Sequence, residues 1–253
     1  MKFLLYISYD GSGYVGYQTQ KNGRSVQEEL TRAASDLFGV RCDVTGCSRT
    51  DSGVHANMFC ATVEPHGGGE FATSITADKI PFAMNTRLPD SISVWQATEV
   101  EDSFHVRYSV VSKEYVYRIY NSPVRDPFEV SRSWQVPKPI DGKGLEAMKT
   151  ALASMVGKRD FAACMAAGSK VTSTVRTVFE ADVKSDGKVI TVRIRADGFL
   201  YNMVRIIVGT LLDVAYGKIS PDSIGERLDS LDRRKMGRTA PPDGLYLNRV
   251  FYE

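Results

Sequence analysis

Four cysteines in 253 residues, none in C-x-x-C spacing and none beside a His pattern, leave this chain without the signature of a zinc site. In a cytosolic protein Cys42, Cys47, Cys60 and Cys164 are expected as thiols, not disulfides. Long apolar runs are also missing, since none approaches the roughly 20 residues that a membrane helix needs. Phe3 to Ile7 follows a lone Lys2 and leads straight into polar sequence, so it reads as a first strand and not a signal-peptide core. The chain is therefore expected to be cytoplasmic and off the membrane. A surplus of charge is absent too. Lys and Arg number 32 against 30 Asp and Glu, a net +2, so any basic surface for nucleic acid must be local. No sequence repeat is visible.

What is present is ordinary globular material, 43% hydrophobic and 25% charged, long enough for one domain or two closely packed halves. Lys2 to Asp10 alternates as a strand, with Phe3, Leu5, Ile7 and Tyr9 on one face. Ser25-Val-Gln-Glu28 fits a capping box, opening a helix in which Val26, Leu30, Ala33 and Leu37 keep spacing until Phe38-Gly39. Strands follow at Val40 to Thr45 and Asn57 to Val63. A short helix at Ala77 to Asn85 and strands at Ser91 to Val100 and Lys113 to Tyr120 come next. The second half carries a Pro-rich loop at Pro123 to Pro139 and a helix at Gly144 to Val156. Val171 to Lys184 and Lys188 to Ala196 form a hairpin around Ser185-Asp-Gly187. The patterning then predicts helices from Phe199 to Tyr216 and from Ser220-Pro221 to about Leu231, and a last strand from Gly244 to Tyr252. The expected fold class is α+β, a mostly antiparallel mixed sheet covered by helices in two similar halves, 1–107 and 108–253.

Two stretches look chemical. Cys47-Ser-Arg-Thr-Asp-Ser-Gly-Val-His-Ala56 packs Arg49, Asp51 and His55 between two strands, as a rigidly placed site loop would, or equally as a solvated hairpin connection. Arg205 sits inside a helix apolar on nearly every side, where a guanidinium must reach water or find a partner. Asp51 is the candidate partner. Gly11-Ser-Gly-Tyr-Val-Gly16 matches G-x-G-x-x-G after a strand, but the polar run Tyr17 to Arg24 follows in place of the helix a dinucleotide site requires. A thiol hydrolase using Cys47 or Cys60 with His55 has no local signature.

Arg49-Thr-Asp-Ser-Gly-Val-His-Ala56 resembles the signature of the TruA family of tRNA pseudouridine synthases. Tyr9-Asp-Gly-Ser-Gly-Tyr-Val-Gly-Tyr-Gln-Thr-Gln20 is similar to the family's opening block. Phe104-His-Val-Arg107, Lys113-Glu-Tyr-Val-Tyr117, Phe199 to Gly209 and Ala240 to Leu247 resemble later blocks in the same order. The resemblance implies the pseudouridine synthase fold with a central basic cleft, and isomerisation of uridine in the anticodon arm of tRNA at positions 38 to 40. It implies a homodimer and no cofactor or metal. Residue by residue it makes Asp51 the catalytic aspartate, Tyr115 the active-site tyrosine and Arg205 the arginine that pairs with the aspartate. Arg49 matches a residue that helps evert the base, and Leu245 one that lines the uracil pocket. His55, Phe104, His105 and Arg107 match further motif positions.

Departures from the family pattern are Ser48 for Gly, Tyr17 for Trp, and Glu114 where a basic residue is common. The last removes one possible phosphate contact. Arg24, Lys21, Lys158 with Arg159, and Arg233-Arg-Lys235 with Arg238 are candidates for the RNA backbone, although charge runs are often only solvated faces. A scaffold that binds RNA without turnover is the second reading, and would predict loss of Asp51 or Arg205. Both are present.

Overall fold

The structure, a computed structural model, describes residues 1–168 and 171–252. Alternation of apolar and polar residues builds strands β1 (Lys2–Tyr9), β2 (Cys42–Gly46), β3 (His55–Pro65), β4 (Ile92–Val100), β5 (Ser112–Tyr120), β6 (Trp134–Gln135), β7 (Gly157–Asp160), β8 (Val175–Asp186), β9 (Val189–Ala196) and β10 (Leu245–Phe251). The helices are α1 (Val26–Phe38), α2 (Ile80–Asn85), α3 (Gly142–Ala153), α4 (Met203–Ala215) and α5 (Ile224–Asp229). The protein is thus α+β, with strand pairing mostly antiparallel. Contacts group the chain into two units, Met1–Val111 with Tyr246–Glu253, and Ser112–Leu245.

In the first unit the strand order is β4-β1-β3-β10, with β2 also on β3. β1 lies antiparallel to β3 and β4, whereas β10 joins β3 in parallel through Tyr246–His55 and Leu247–Ala56. Phe3, Leu5, Ile7 and Tyr9 are buried as their alternation required, against Phe59 and Val63 of β3 among others. The start of α1 follows the capping-box reading: Ser25 is extended, and its hydroxyl accepts the Glu28 amide at 3.3 Å. Its end follows the glycine, since Gly39 adopts φ 69° and donates its amide to Ser35. Val26, Leu30, Ala33 and Ala34 face the core.

In the second unit the order is β5-β9-β8-β7, antiparallel throughout, with β6 added in parallel to β5. Tyr117 and Ile119 of β5 pair with Val192 and Ile190 of β9, and all four are buried. Helices α3 and α4 pack on one another, α3 against β8 and α4 against β5. Helix α4 starts four residues later than its apolar pattern predicts. Asn202 takes a left-handed conformation, φ 60° and ψ 11°, which an α-helix cannot include, so a turn at Tyr201–Asn202, closed by the Met203 amide on the Leu200 carbonyl at 3.0 Å, precedes it. Helix α3 begins earlier, at Gly142, because Asp141 caps it through the Gly144 amide at 2.8 Å. The hairpin turns at Gly187 with φ 56°, and its first strand starts at Val175, not Val171.

Removal of the Ser25 hydroxyl leaves an N-terminal amide of α1 without its acceptor. Ser25→Ala is expected to destabilise the protein by about 1 kcal/mol, read as a lower urea midpoint with unchanged slope.

Candidate active site

The loop carrying Asp51 spans the end of β2 and the start of β3, and its backbone shape is imposed by the segment Tyr9–Tyr17. Thr50 is buried, its hydroxyl 2.8 Å from the Tyr9 phenol, and its carbonyl accepts the Tyr17 amide at 3.2 Å. On the other side of Asp51, the Ser52 hydroxyl and the Gly53 amide both donate to the Tyr14 carbonyl, at 3.2 and 3.4 Å. The Asp51 carbonyl closes the turn by accepting the Val54 amide at 3.1 Å, with Gly53 at φ 78°. Both neighbours of Asp51 are therefore tethered to the same distant segment.

The glycines of that segment explain how it comes so close. A Cβ on Gly11 would overlap the Val54 carbonyl oxygen, and one on Gly16 would stand 2.6 Å from the Thr50 oxygen, where φ is 115°. Gly11 and Gly16 thus serve the close approach of two segments, whereas a Cβ on Gly13 would meet nothing within 4 Å. No helix follows Gly16 until Val26, so the dinucleotide reading fails on structure as it did on sequence.

His55 is 2% exposed, and its Nδ1 accepts the Gly11 amide at 3.1 Å. The Asp10 carboxylate lies 3.3 Å from the same nitrogen. The imidazole stacks on Tyr246 at 4.6 Å. His55 is thereby built into the loop's support. Cys60 is fully buried and its thiol is pushed well above the ordinary range by desolvation, the opposite of an activated nucleophile.

Arg49 lies exposed on the loop, Asp51 and Ser48 are half-buried. Tyr17 fills the position expected for Trp, stacked on Phe59 at 4.2 Å with its ring over Gly46, where a Cβ would come within 2.5 Å. Its hydroxyl is buried without a hydrogen-bond partner among the described residues, and desolvation raises its pKa.

In the second unit two of the candidate residues, Arg205 and Leu245, border one loop region. Arg205 projects from α4 and donates Nε–H to the Ala240 carbonyl and Nη1–H to the Asn202 side-chain oxygen, both at 2.7 Å. The Ala240 amide returns to the Arg205 carbonyl at 3.0 Å. Tyr117 of β5 donates its hydroxyl to Pro241 at 2.8 Å, so helix and strand hold the same segment, Ala240–Gly244, just before Leu245. Leu245 is buried. Tyr115, two residues from Tyr117 on β5, is buried edge-on against Phe199 at 4.8 Å. Asn202 and Tyr117 were not singled out from the sequence. The signal for Asn202 is a polar residue three positions before an arginine in an apolar helix.

Several basic candidates are already engaged. Arg24 pairs with Glu29 and lies 5.5 Å over the Tyr14 ring. Arg233 donates to the Gly237 carbonyl and the Thr239 hydroxyl, Arg234 pairs with Asp232, and Arg238 covers the Trp134 ring at 4.7 Å. Glu114 is buried and paired with Arg193, which also reaches Glu180 and Asp182, so this departure braces the face of β5. Lys158 is exposed on β7 and Arg159 sits opposite Arg176 of β8. Phe104 rests against Tyr252, whereas His105 and Arg107 are exposed.

Tyr17→Phe removes a buried hydroxyl that gains no hydrogen bond. The variant is expected to be more stable than the parent by about 1 kcal/mol, measured by denaturant unfolding; a loss of stability would reveal a partner for that hydroxyl.

The model of a family described as tRNA pseudouridine synthase matches residues 5–109 and 151–253. Tyr115 falls between the two stretches, within the span that full-length relatives cover. A tRNA pseudouridine synthase A of Thermoanaerobacter sp. is 44% identical over 249 residues, 98% of each chain. Those of Acetivibrio thermocellus and Bacillus subtilis are each 41% identical, over 98% and 100% of both chains. A chain of a solved Cbf5-Nop10-Gar1 complex aligns with 97% of this chain and 48% of its own length, at 11% identity and TM-score 0.38. A match over both halves, with relatives similar from end to end, establishes that the chain belongs to the TruA family of tRNA pseudouridine synthases.

Proposed function

We propose that this protein isomerises uridine to pseudouridine in the anticodon arm of tRNA, at positions 38, 39 and 40, with Asp51 as the essential carboxylate. The observation that carries the reading is the tethering of Thr50, Ser52 and Gly53 to the Tyr9–Tyr17 segment, which aims one acidic side chain from a stiff loop. A solvated connection has no need of that scaffolding.

The chemistry is an exchange of one glycosidic bond for another. The C1′–N1 bond breaks, C1′–C5 forms, C5 loses a proton and N1 ends with one. Atoms and electrons balance, so the stoichiometry calls for no redox or group-donating cofactor. A carboxylate serves this exchange by engaging C1′, by adding to the base, or by taking the proton. Arg205 is its partner, holding it ionised and orienting one oxygen. The anchoring of Arg205 at Ala240 and Asn202 supports that role by limiting the directions the guanidinium can take. Tyr115 stacks on the everted uracil and Leu245 lines its pocket, while Arg49 helps bring the base out of the stem, a step that costs a few kcal/mol. His55 acts through the loop backbone and not as an acid or base.

The enzyme works as a homodimer whose basic clefts receive the RNA. Lys158 with Arg159, and Lys21, supply phosphate contacts more readily than the engaged Arg24 and Arg233 to Arg238. It belongs in the cytosol, where the four cysteines remain thiols. Among the described residues no helix is long and apolar enough to cross a membrane.

Purified protein incubated with an unmodified tRNA transcript is expected to place pseudouridine in the anticodon arm. Asp51→Asn should fold normally and lose on the order of 10³-fold or more in turnover; full turnover by this variant would sink the assignment. Arg205→Ala should keep tRNA affinity yet lose roughly 100-fold or more, as expected when one member of a shielded charge pair is deleted. Wild-type activity in Arg205→Ala would refute its pairing with Asp51.

A further inference from the structure

The turn Phe104–Tyr108 carries both packed and exposed side chains. Phe104 lies against Tyr252 at 5.3 Å, and the buried Val106 offers its carbonyl to the Tyr252 hydroxyl at 2.9 Å. These contacts fasten the turn to the end of the chain within the first unit. His105, Arg107 and Tyr108 are all exposed.

Their exposure is ordered. The amides of Arg107 and Tyr108 both donate to His105 Nδ1 at 3.2 Å, and the Ser109 amide returns to the His105 carbonyl at 2.9 Å. The imidazole is packed against the Tyr108 ring at 4.1 Å, and the Arg107 guanidinium lies 6.0 Å from the same ring. Tyr108 itself is 77% exposed. A tyrosine steadied by a neighbouring imidazole, with a cation close by and most of its surface open to water, is a preformed stacking surface.

Two other aromatics are as exposed but have different company. Phe82, at 74%, stands near Asp78 in an apolar groove beside Trp95, and Phe128, at 83%, lies between Asp126 and Glu129. Acidic neighbours repel a phosphate backbone, whereas Arg107 attracts one. Among these three, Tyr108 alone pairs an open ring with a cation and an imidazole.

We propose that Tyr108 is a stacking platform for an unpaired nucleobase of the RNA substrate, with Arg107 on the adjoining phosphate. The inference rests on the tRNA reading above and extends it to a residue outside the Asp51 and Arg205 loops. A loop base that is already unpaired has no stack to lose, so an exposed ring can capture it at low cost.

The test is binding, which does not depend on turnover. Affinity for an unmodified tRNA transcript is measured for wild type, Tyr108→Phe, Tyr108→Ala and Arg107→Ala across a salt series, with a fully paired RNA duplex as the second ligand. Tyr108→Ala should weaken tRNA binding roughly 10-fold and leave duplex binding alone, while Tyr108→Phe stays within about twofold because the ring face remains. Arg107→Ala should lower the salt dependence by about one phosphate contact, and Tyr108→Ala should not change it. Wild-type affinity in Tyr108→Ala, or an equal loss in Tyr108→Phe, overturns the proposal. A change in sedimentation of Tyr108→Ala also overturns it, by making the ring a subunit contact. Wild-type protein that binds tRNA through Tyr108 but forms no pseudouridine would defeat the catalytic reading and leave this one standing.

Discussion

Close approach of two loops is the constraint on which the site depends. The Asp51 loop contains little apolar surface of its own, so burial cannot hold its shape. Its shape comes from backbone and hydroxyl hydrogen bonds to Tyr9, Tyr14 and Tyr17, and these require the two chain segments to touch. Only residues without a Cβ fit at Gly11 and Gly16. Strand β1, buried between β3 and β4, fixes where that glycine segment begins, so core packing is passed on to the carboxylate through a few polar bonds.

The use of charge shows the same economy. A net charge of +2 looks meagre for a protein that binds RNA, and the structure reduces the pool of uncommitted cations further. Arg193 knits Glu114, Glu180 and Asp182 together, Arg233 ties its own chain segment, and Arg238 packs on Trp134. Many arginines are thus consumed by local structure. What is left for a polyanion is sparse and placed on exposed turns and strands such as Arg49, Arg107 and Lys158, where a phosphate can reach them without breaking an internal bond.

Features governed by neighbours in the chain could be read in advance. The cap at Ser25, the stop at Gly39 and the alternation of β1 each involve residues within a few positions, and each appears as expected. The start of α4 did not. Its apolar residues run back to Phe199, but hydrophobic spacing says nothing about the left-handed turn at Asn202, whose side chain is committed to Arg205. The basic run Arg233 to Arg238 reads as one patch in sequence because partners such as Gly237, Thr239 and Trp134 are decided by the local fold and not by charge.

From sequence alone the order of the longer strands and the helices, the awkwardness of a charge at Arg205, and membership of a family through blocks in register were determined, because all three rest on local pattern, whereas β6 and β7, two and four residues long, carry too little pattern to be read. Tertiary structure decided what the glycine segment is for, since Tyr9 and Thr50 lie 41 positions apart and only a folded sheet brings them to 2.8 Å. It likewise decided that His55 belongs to the loop's scaffold, because its ring nitrogen meets the amide of Gly11, 44 positions away in the chain.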